Sequence, residues 1–223
     1  MKRIKLADRK LPTYTTGEEI MNMVTHICGG ALGSVALVLC LLRSCAGGTA
    51  WEILGCGVYG IAMVTLYTIS SVYHGLPRGT AKKVLQVLDH CTIYVLIAGT
   101  YTPILISGFM PTHPGIGWGL LALEWGLAAL AATLTAIDLR KYRVFSMICY
   151  IGMGWGIVFF LPQALEVMGK NGFILLLAGG IAYTLGAILY GVGVKKRWMP
   201  SVFHIFVVLG SALQFLSIYL HIL

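Results

Sequence analysis

From Ile174 to Ala182 the chain carries no polar side chain, and apolar runs of this kind recur along its length. In an apolar medium such a segment cannot leave its backbone N–H and C=O groups unpaired, so it folds as a helix or as part of a closed barrel. A barrel strand shows period-two alternation over about ten residues, and this run has none. Helices are therefore expected. Cutting the sequence at charged and turn residues leaves seven stretches of roughly the 20 residues that a membrane helix needs. They cover 22–42, 51–74, 88–109, 116–137, 145–168, 173–192 and 201–222, joined by short connections. The expected fold is an all-α membrane protein with seven transmembrane helices in a single domain, residues 1–223, of which 1–20 form a basic N-terminal segment. The first apolar stretch is too long for the core of a cleavable signal and is expected to stay in the membrane.

Composition closes the other routes. The chain is 58% hydrophobic and 11% charged, with a mean hydropathy of +0.85, whereas a soluble domain carries about 25% charged residues. The net charge of +8 does not point to nucleic acid, because Lys and Arg flank the apolar stretches instead of interleaving with surface aromatics. The six cysteines form no C-x-x-C pair, so a disulfide framework is not expected.

Those flanking charges set the orientation. Lys2, Arg3, Lys5, Arg9, Lys10, Arg78, Lys82, Lys83, Arg140, Lys141, Arg143, Lys195, Lys196 and Arg197 fall on one side, and Arg43 and Lys170 on the other. The positive-inside rule then puts the N-terminus in the cytoplasm and the C-terminus outside. That is opposite to G-protein-coupled receptors and retinal proteins, and the seventh span has no lysine to carry a Schiff base. Lys82, Lys83, Lys195, Lys196 and Arg197 are expected to face anionic headgroups.

Ionisable groups at membrane depth are costly and mark function by default. With this topology His74, Asp89, His204, Glu19, Asn22 and His26 all fall at one level near the cytoplasmic face. Ser70 shares the helical face of His74, and Glu19, Asn22 and His26 share another at i, i+3 and i+7. Such a set suits a metal or acid–base site. Each member also has a plainer role: Asp89 as an N-cap or first-turn residue of the third helix, Glu19 and Asn22 as caps of the first, and any single histidine as a headgroup contact. His90 is set aside because it points away from Asp89, and His221 is about 25 Å from His204 along the last helix. His113 reads as an outer loop residue, Glu166 with Lys170 as an i, i+4 pair, and Pro103 and Pro162 as kinks. Glu124 sits deeper, with no partner evident.

Four segments carry a resemblance: 18–26 (EEIMNMVTH), 70–74 (SSVYH), 88–103 (LDHCTIYVLIAGTYTP) and 203–211 (FHIFVVLGS). In this order on seven spans they resemble the bacterial hemolysin III family, which belongs with the progestin and adipoQ receptors, over about residues 16–219. The resemblance implies a zinc ion near the cytoplasmic leaflet held by three histidines, one ending S-x-x-x-H and two in an H-x-x-x-H at the start of the last helix. His74 matches the first, Asp89 the aspartate that holds a water at the metal, and Ser70 the serine that assists. It further implies hydrolysis of a lipid amide, as in ceramidase-like members of the wider superfamily. The sequence departs from the pattern where Pro200-Ser201-Val202-Phe203-His204 keeps only the second histidine, and where Gln214 replaces a further one. Proline does suit the first turn of a helix.

Two ligand sets stand: His74, His204 and Asp89, or the two histidines joined by His26. The expected function is thus a zinc-dependent hydrolase of a lipid amide or ester in the plasma membrane of a bacterium, with Asp89 and Ser70 in the chemistry. A non-enzymatic regulator or sensor of membrane lipids, binding a lipid amide or fatty acid in the same place, is the alternative. Cytolysis, which the family name suggests, has little support because no span shows a continuous polar stripe. A carrier would need buried charges at the midplane.

Overall fold

The structure, a computed structural model, describes residues 6–193 and 196–223. Lys2, Arg3, Lys5 and Lys195, four of the charges used for orientation, lie outside those residues. The regular structure of the described residues is all helical. Its helices are α1 (Thr16–Cys45), α2 (Ala50–Gly75), α3 (Thr80–Pro103), α4 (Pro114–Ile137), α5 (Arg143–Trp155), α6 (Leu161–Gly193) and α7 (Met199–His221).

Local chemistry explains the boundaries. Thr15 and Glu18 form a reciprocal capping box at the start of α1, and Thr49 and Glu52 form the same box at the start of α2. After Pro103, which cannot donate to the preceding turn, the backbone widens into a π-helical segment, Ile104–Phe109. Pro162 lies inside the helical run Arg143–Gly191, directly after a tight 3-10 segment, Gly156–Phe160, that interrupts the α-helical pattern. At the start of α7, Pro200 occupies the first turn, preceded by Trp198 at φ 68°.

Six of the helical runs are long and apolar enough to cross a membrane. The expected stretches 145–168 and 173–192 fall together inside one of them, Arg143–Gly191, of 49 residues. Within it Gly169 is non-helical (φ 67°, ψ 172°), a region essentially closed to side chains with a Cβ. The two halves pack on different partners. Before the break, Tyr150 donates to the His90 carbonyl, the Ile157 amide donates to Tyr101 Oη, and Val167 lies at Gly108. After it, Gly172 lies against His221, Gly179 against Gly210 and Gly186 against Phe206. Gly169 also explains why Glu166 does not pair with Lys170. Its carboxylate meets His113 Nε2 at 3.1 Å instead.

Helix starts differ from the expected ones in an instructive way. α3 begins at Thr80 and α1 at Thr16, both about two turns before the apolar stretches that revealed them. Asp89 is therefore well inside α3, and its role as a cap of that helix is excluded.

Packing runs α1 on α2, α2 on α3, α3 on α4, α6 on α7, and α7 back on α1. The main core contains Ala36, Cys40, Cys56, Tyr59, Met63, Tyr67, Phe109 and Ile218, while Tyr94, Ala98, Ala128, Ala131 and Met153 form a smaller one under α4 and α5. Large apolar side chains such as Ile27, Leu42, Ile61 and Phe159 face outward, as lipid contact demands. Glu124 is buried in α4, with Oε2 unpartnered and Oε1 towards Gly156.

Candidate metal centre and lipid cavity

Three imidazoles from three helices meet at the end of the bundle that holds the N-terminal segment. His26 comes from α1, His74 from α2 and His204 from α7, and all are buried. Nδ1 of His204 lies 2.8 Å from Nε2 of His26, so one ring donates and the other accepts. Ring centroids are 4.1 Å apart for His26 and His204 and 4.8 Å for His74 and His204. Nδ1 of His26 has no hydrogen-bond partner, and neither does the hydroxyl of Ser70, one turn before His74.

The face of α1 that repeats at i, i+3 and i+7 explains the neighbours. Glu19 Oε2 is 2.6 Å from His74 Nδ1, and Asn22 Nδ2 is 3.5 Å from the same nitrogen. Glu19 Oε1 in turn holds Lys82 Nζ at 2.7 Å. Lys82 also donates to the carbonyls of His74 and Leu76 at 3.3 and 2.9 Å, closing the C-terminus of α2. Glu19 is thus a partner of His74 and not a cap, since Glu18 fills the capping box. Lys82, expected at the headgroups, is buried. Periodicity singles out Glu19; no sequence signal distinguishes Lys82 from Lys83.

Below the histidines, Tyr67 Oη donates to Ser211 Oγ at 2.7 Å, and Tyr183 Oη lies 2.6 Å from the same oxygen. These tyrosines were not singled out by the sequence. They tie α2, α6 and α7 together just inside the cluster.

His26, Ser70, His74, Asp89 and His204 all line one cavity of about 640 Å³, a volume typical of ligand pockets. Its deeper wall is largely apolar, with Leu96, Ile97, Ile104, Trp155 and Leu176 among its residues. Asp89 shares this wall but forms no hydrogen bond with the three histidines among the described residues; the carboxylate at His74 is that of Glu19. His90, set aside on helical phase, also lines the cavity, with Nδ1 2.8 Å from the Gln86 carbonyl oxygen. Among the described residues no three His, Cys, Asp or Glu side chains have the spacing of a metal centre.

The N-terminal segment lines the cavity through Arg9, Pro12 and Tyr14 among others. Arg78 donates to the carbonyls of Pro12 and Leu11, and Tyr14 packs on His74 at 5.9 Å between ring centroids. Burial raises the Tyr14 phenol well above its ordinary range, so it stays a neutral hydroxyl.

The sequence matches the family of haemolysin-III-related proteins over residues 14–215. The chain belongs to that family. Hemolysin-3 of Bacillus cereus is 37% identical over 211 residues, 95% of this chain and 94% of that protein. The Hemolysin-3 homolog of Bacillus subtilis (strain 168) is 34% identical over 205 residues, 92% and 94% of the two chains. More distantly, the Monocyte to macrophage differentiation factor of Homo sapiens is 27% identical over 219 residues, covering 92% and 84%. No solved structure matches. This haemolysin-III-related chain is a multi-pass membrane protein, and in it α1, through His26, contributes the imidazole that stands beside His204.

Proposed function

We propose that this protein is a membrane hydrolase of lipid amides that uses a zinc ion held by His74, His204 and His26, in the plasma membrane of a bacterium. The observation that carries this reading is the meeting of three buried imidazoles at the polar end of a largely apolar cavity. The donor set fits zinc in kind. Three imidazoles are a common catalytic ligand set, the unpartnered Nδ1 of His26 is a nitrogen in need of a partner, and Glu19 on His74 Nδ1 is the type of carboxylate that orients a ligating histidine and leaves Nε2 to the metal. His26 would stand in for the histidine that Pro200 replaces.

The topology proposed with it has seven crossings. The half of Arg143–Gly191 before Gly169 follows α3 from His90 to Gly108, and the half after it follows α7 backwards from His221 to Phe206. A reversal at Gly169 accounts for both. With the positive-inside rule this puts the N-terminus and the cavity mouth in the cytoplasm and the C-terminus outside.

When bound, zinc supplies Lewis acidity to an amide carbonyl. The protein's own groups do the rest. The apolar wall holds the acyl chain and excludes water from it. Ser70 Oγ, free of any protein partner, donates to the polar junction of the substrate. Asp89, on the cavity wall, takes the proton of the attacking water and returns it to the departing amine.

A second reading is favoured by one contact. His26 and His204 satisfy each other directly at 2.8 Å, which suits a cavity that binds a lipid without turning it over. Elemental mass spectrometry of protein purified in mild detergent without added metal separates the two. About one zinc per chain, lost in His74→Ala, His204→Ala and His26→Ala, is the expected result. A parent protein without metal overturns the hydrolase and leaves the lipid-binding role.

A further inference from the structure

Arg9 belongs to the N-terminal segment that lines the cavity. Its Nη2 donates to the carbonyls of Ala136 and Ile137 at 3.3 and 3.2 Å, which caps the C-terminus of α4. Its Nε and Nη1 are shielded from solvent and have no acceptor. An unpaired donor of a permanent cation is costly when buried, and Arg9 stays charged under all conditions. Lys10, Arg140 and Arg143 stand on the same cavity wall. Asp8 and Asp89 share it, yet neither forms an ion pair with Arg9 among the described residues. Asp138 Oδ1 accepts from the Arg140 and Lys141 amides.

The guanidinium of Arg9 thus lines the same cavity as the apolar Leu96, Ile97 and Leu176. We infer that Arg9 is the anion-binding residue of this cavity, and that the occupant is an acyl amphiphile bearing a carboxylate or phosphate beyond its polar junction. This names a substrate class for the site proposed above and rests on that reading. In a lipid amide, the fitting form is an acyl chain joined to an amine that carries an acid. The acyl chain would lie along Leu96, Ile97 and Leu176, and the acid would meet Arg9 where the N-terminal segment closes over it. Guanidinium matches both anions because its planar donors fit paired oxygens.

The test compares binding of N-palmitoylglycine and N-palmitoylethanolamine, which share chain and amide but differ in charge, to the full-length protein in detergent by native mass spectrometry. The glycine conjugate is expected to bind at least about tenfold more tightly, the worth of one charge-assisted hydrogen bond. Arg9→Gln should abolish that preference while leaving binding of the ethanolamide unchanged, and Arg9→Lys should keep most of it. The wild-type ratio reads the proposal even if Arg9→Gln does not fold. Equal binding of the two amides, or a preference that survives in Arg9→Gln, overturns the anion site while leaving the cavity reading intact. Failure of both to bind overturns the cavity reading as well. Competition by millimolar inorganic phosphate equal to that of the glycine conjugate would show a free-anion site and overturn the amphiphile.

Discussion

The same four-residue motif begins α1 and α2, and its two copies lead to different structures. At one end of the bundle Thr49 and Glu52 cap α2 and go no further; Glu52 is half-buried and bonded within its own turn. At the other end Thr15 and Glu18 cap α1, but Glu18 is buried and its second oxygen accepts the Trp198 amide at 2.7 Å, at the start of α7. The next residue, Glu19, reaches His74 and Lys82. One box finishes a helix. The other builds an interface among α1, α2, α3 and α7, and the imidazole cluster stands on it. A polar group satisfied within its own turn is structural, whereas one satisfied across helices is expensive to place and marks where function concentrates.

The sharpest way to break this contrast is at Lys82. Replacing it with alanine leaves Glu19 Oε1 without its cation and two carbonyls uncapped, and should destabilise the protein by about 3–5 kcal/mol in detergent unfolding experiments. A loss below about 1 kcal/mol would mean that the ion pair is solvated and the interface is not as closed as described.

Next comes the pair of boxes itself. Glu18→Ala should cost about 2–3 kcal/mol, the bond from the Thr15 amide and the buried charge-assisted bond from the Trp198 amide together. Glu52→Ala should cost only about 0.5–1 kcal/mol. Equal losses in matched thermal denaturation would erase the distinction between the ends. The smallest effect belongs to His113→Ala, because its pairing with the exposed Glu166 at the far end is worth within about 0.5 kcal/mol. A larger shift in the same assay would show that the far end also depends on cross-helix polar contacts.

Much of this was legible in the residues. Apolar runs revealed every helix, and the 3.6-residue period put Glu19, Asn22 and His26 on one face and Ser70 with His74 on another. What escaped has physical causes. The first two turns of α3, from Thr80 to Val87, are too polar to register as part of a span, so Asp89 was placed at a helix start. The break at Gly169 did not escape, because the cut between 168 and 173, beside Lys170, falls on it. Lys82 and Lys83 are indistinguishable until the fold buries one of them. The contact of His26 with His204 joins residues 178 positions apart, and no local pattern encodes it.

That separation also bears on how the protein is made. Glu18 meets its partner at Trp198, 180 positions later, and His26 meets His204 just after. The first helix leaves the ribosome long before either partner exists, so its entrance stays provisional through synthesis of almost the whole chain. The imidazole cluster is then among the last features to assemble, and its completion reports that the final helix has been inserted in register.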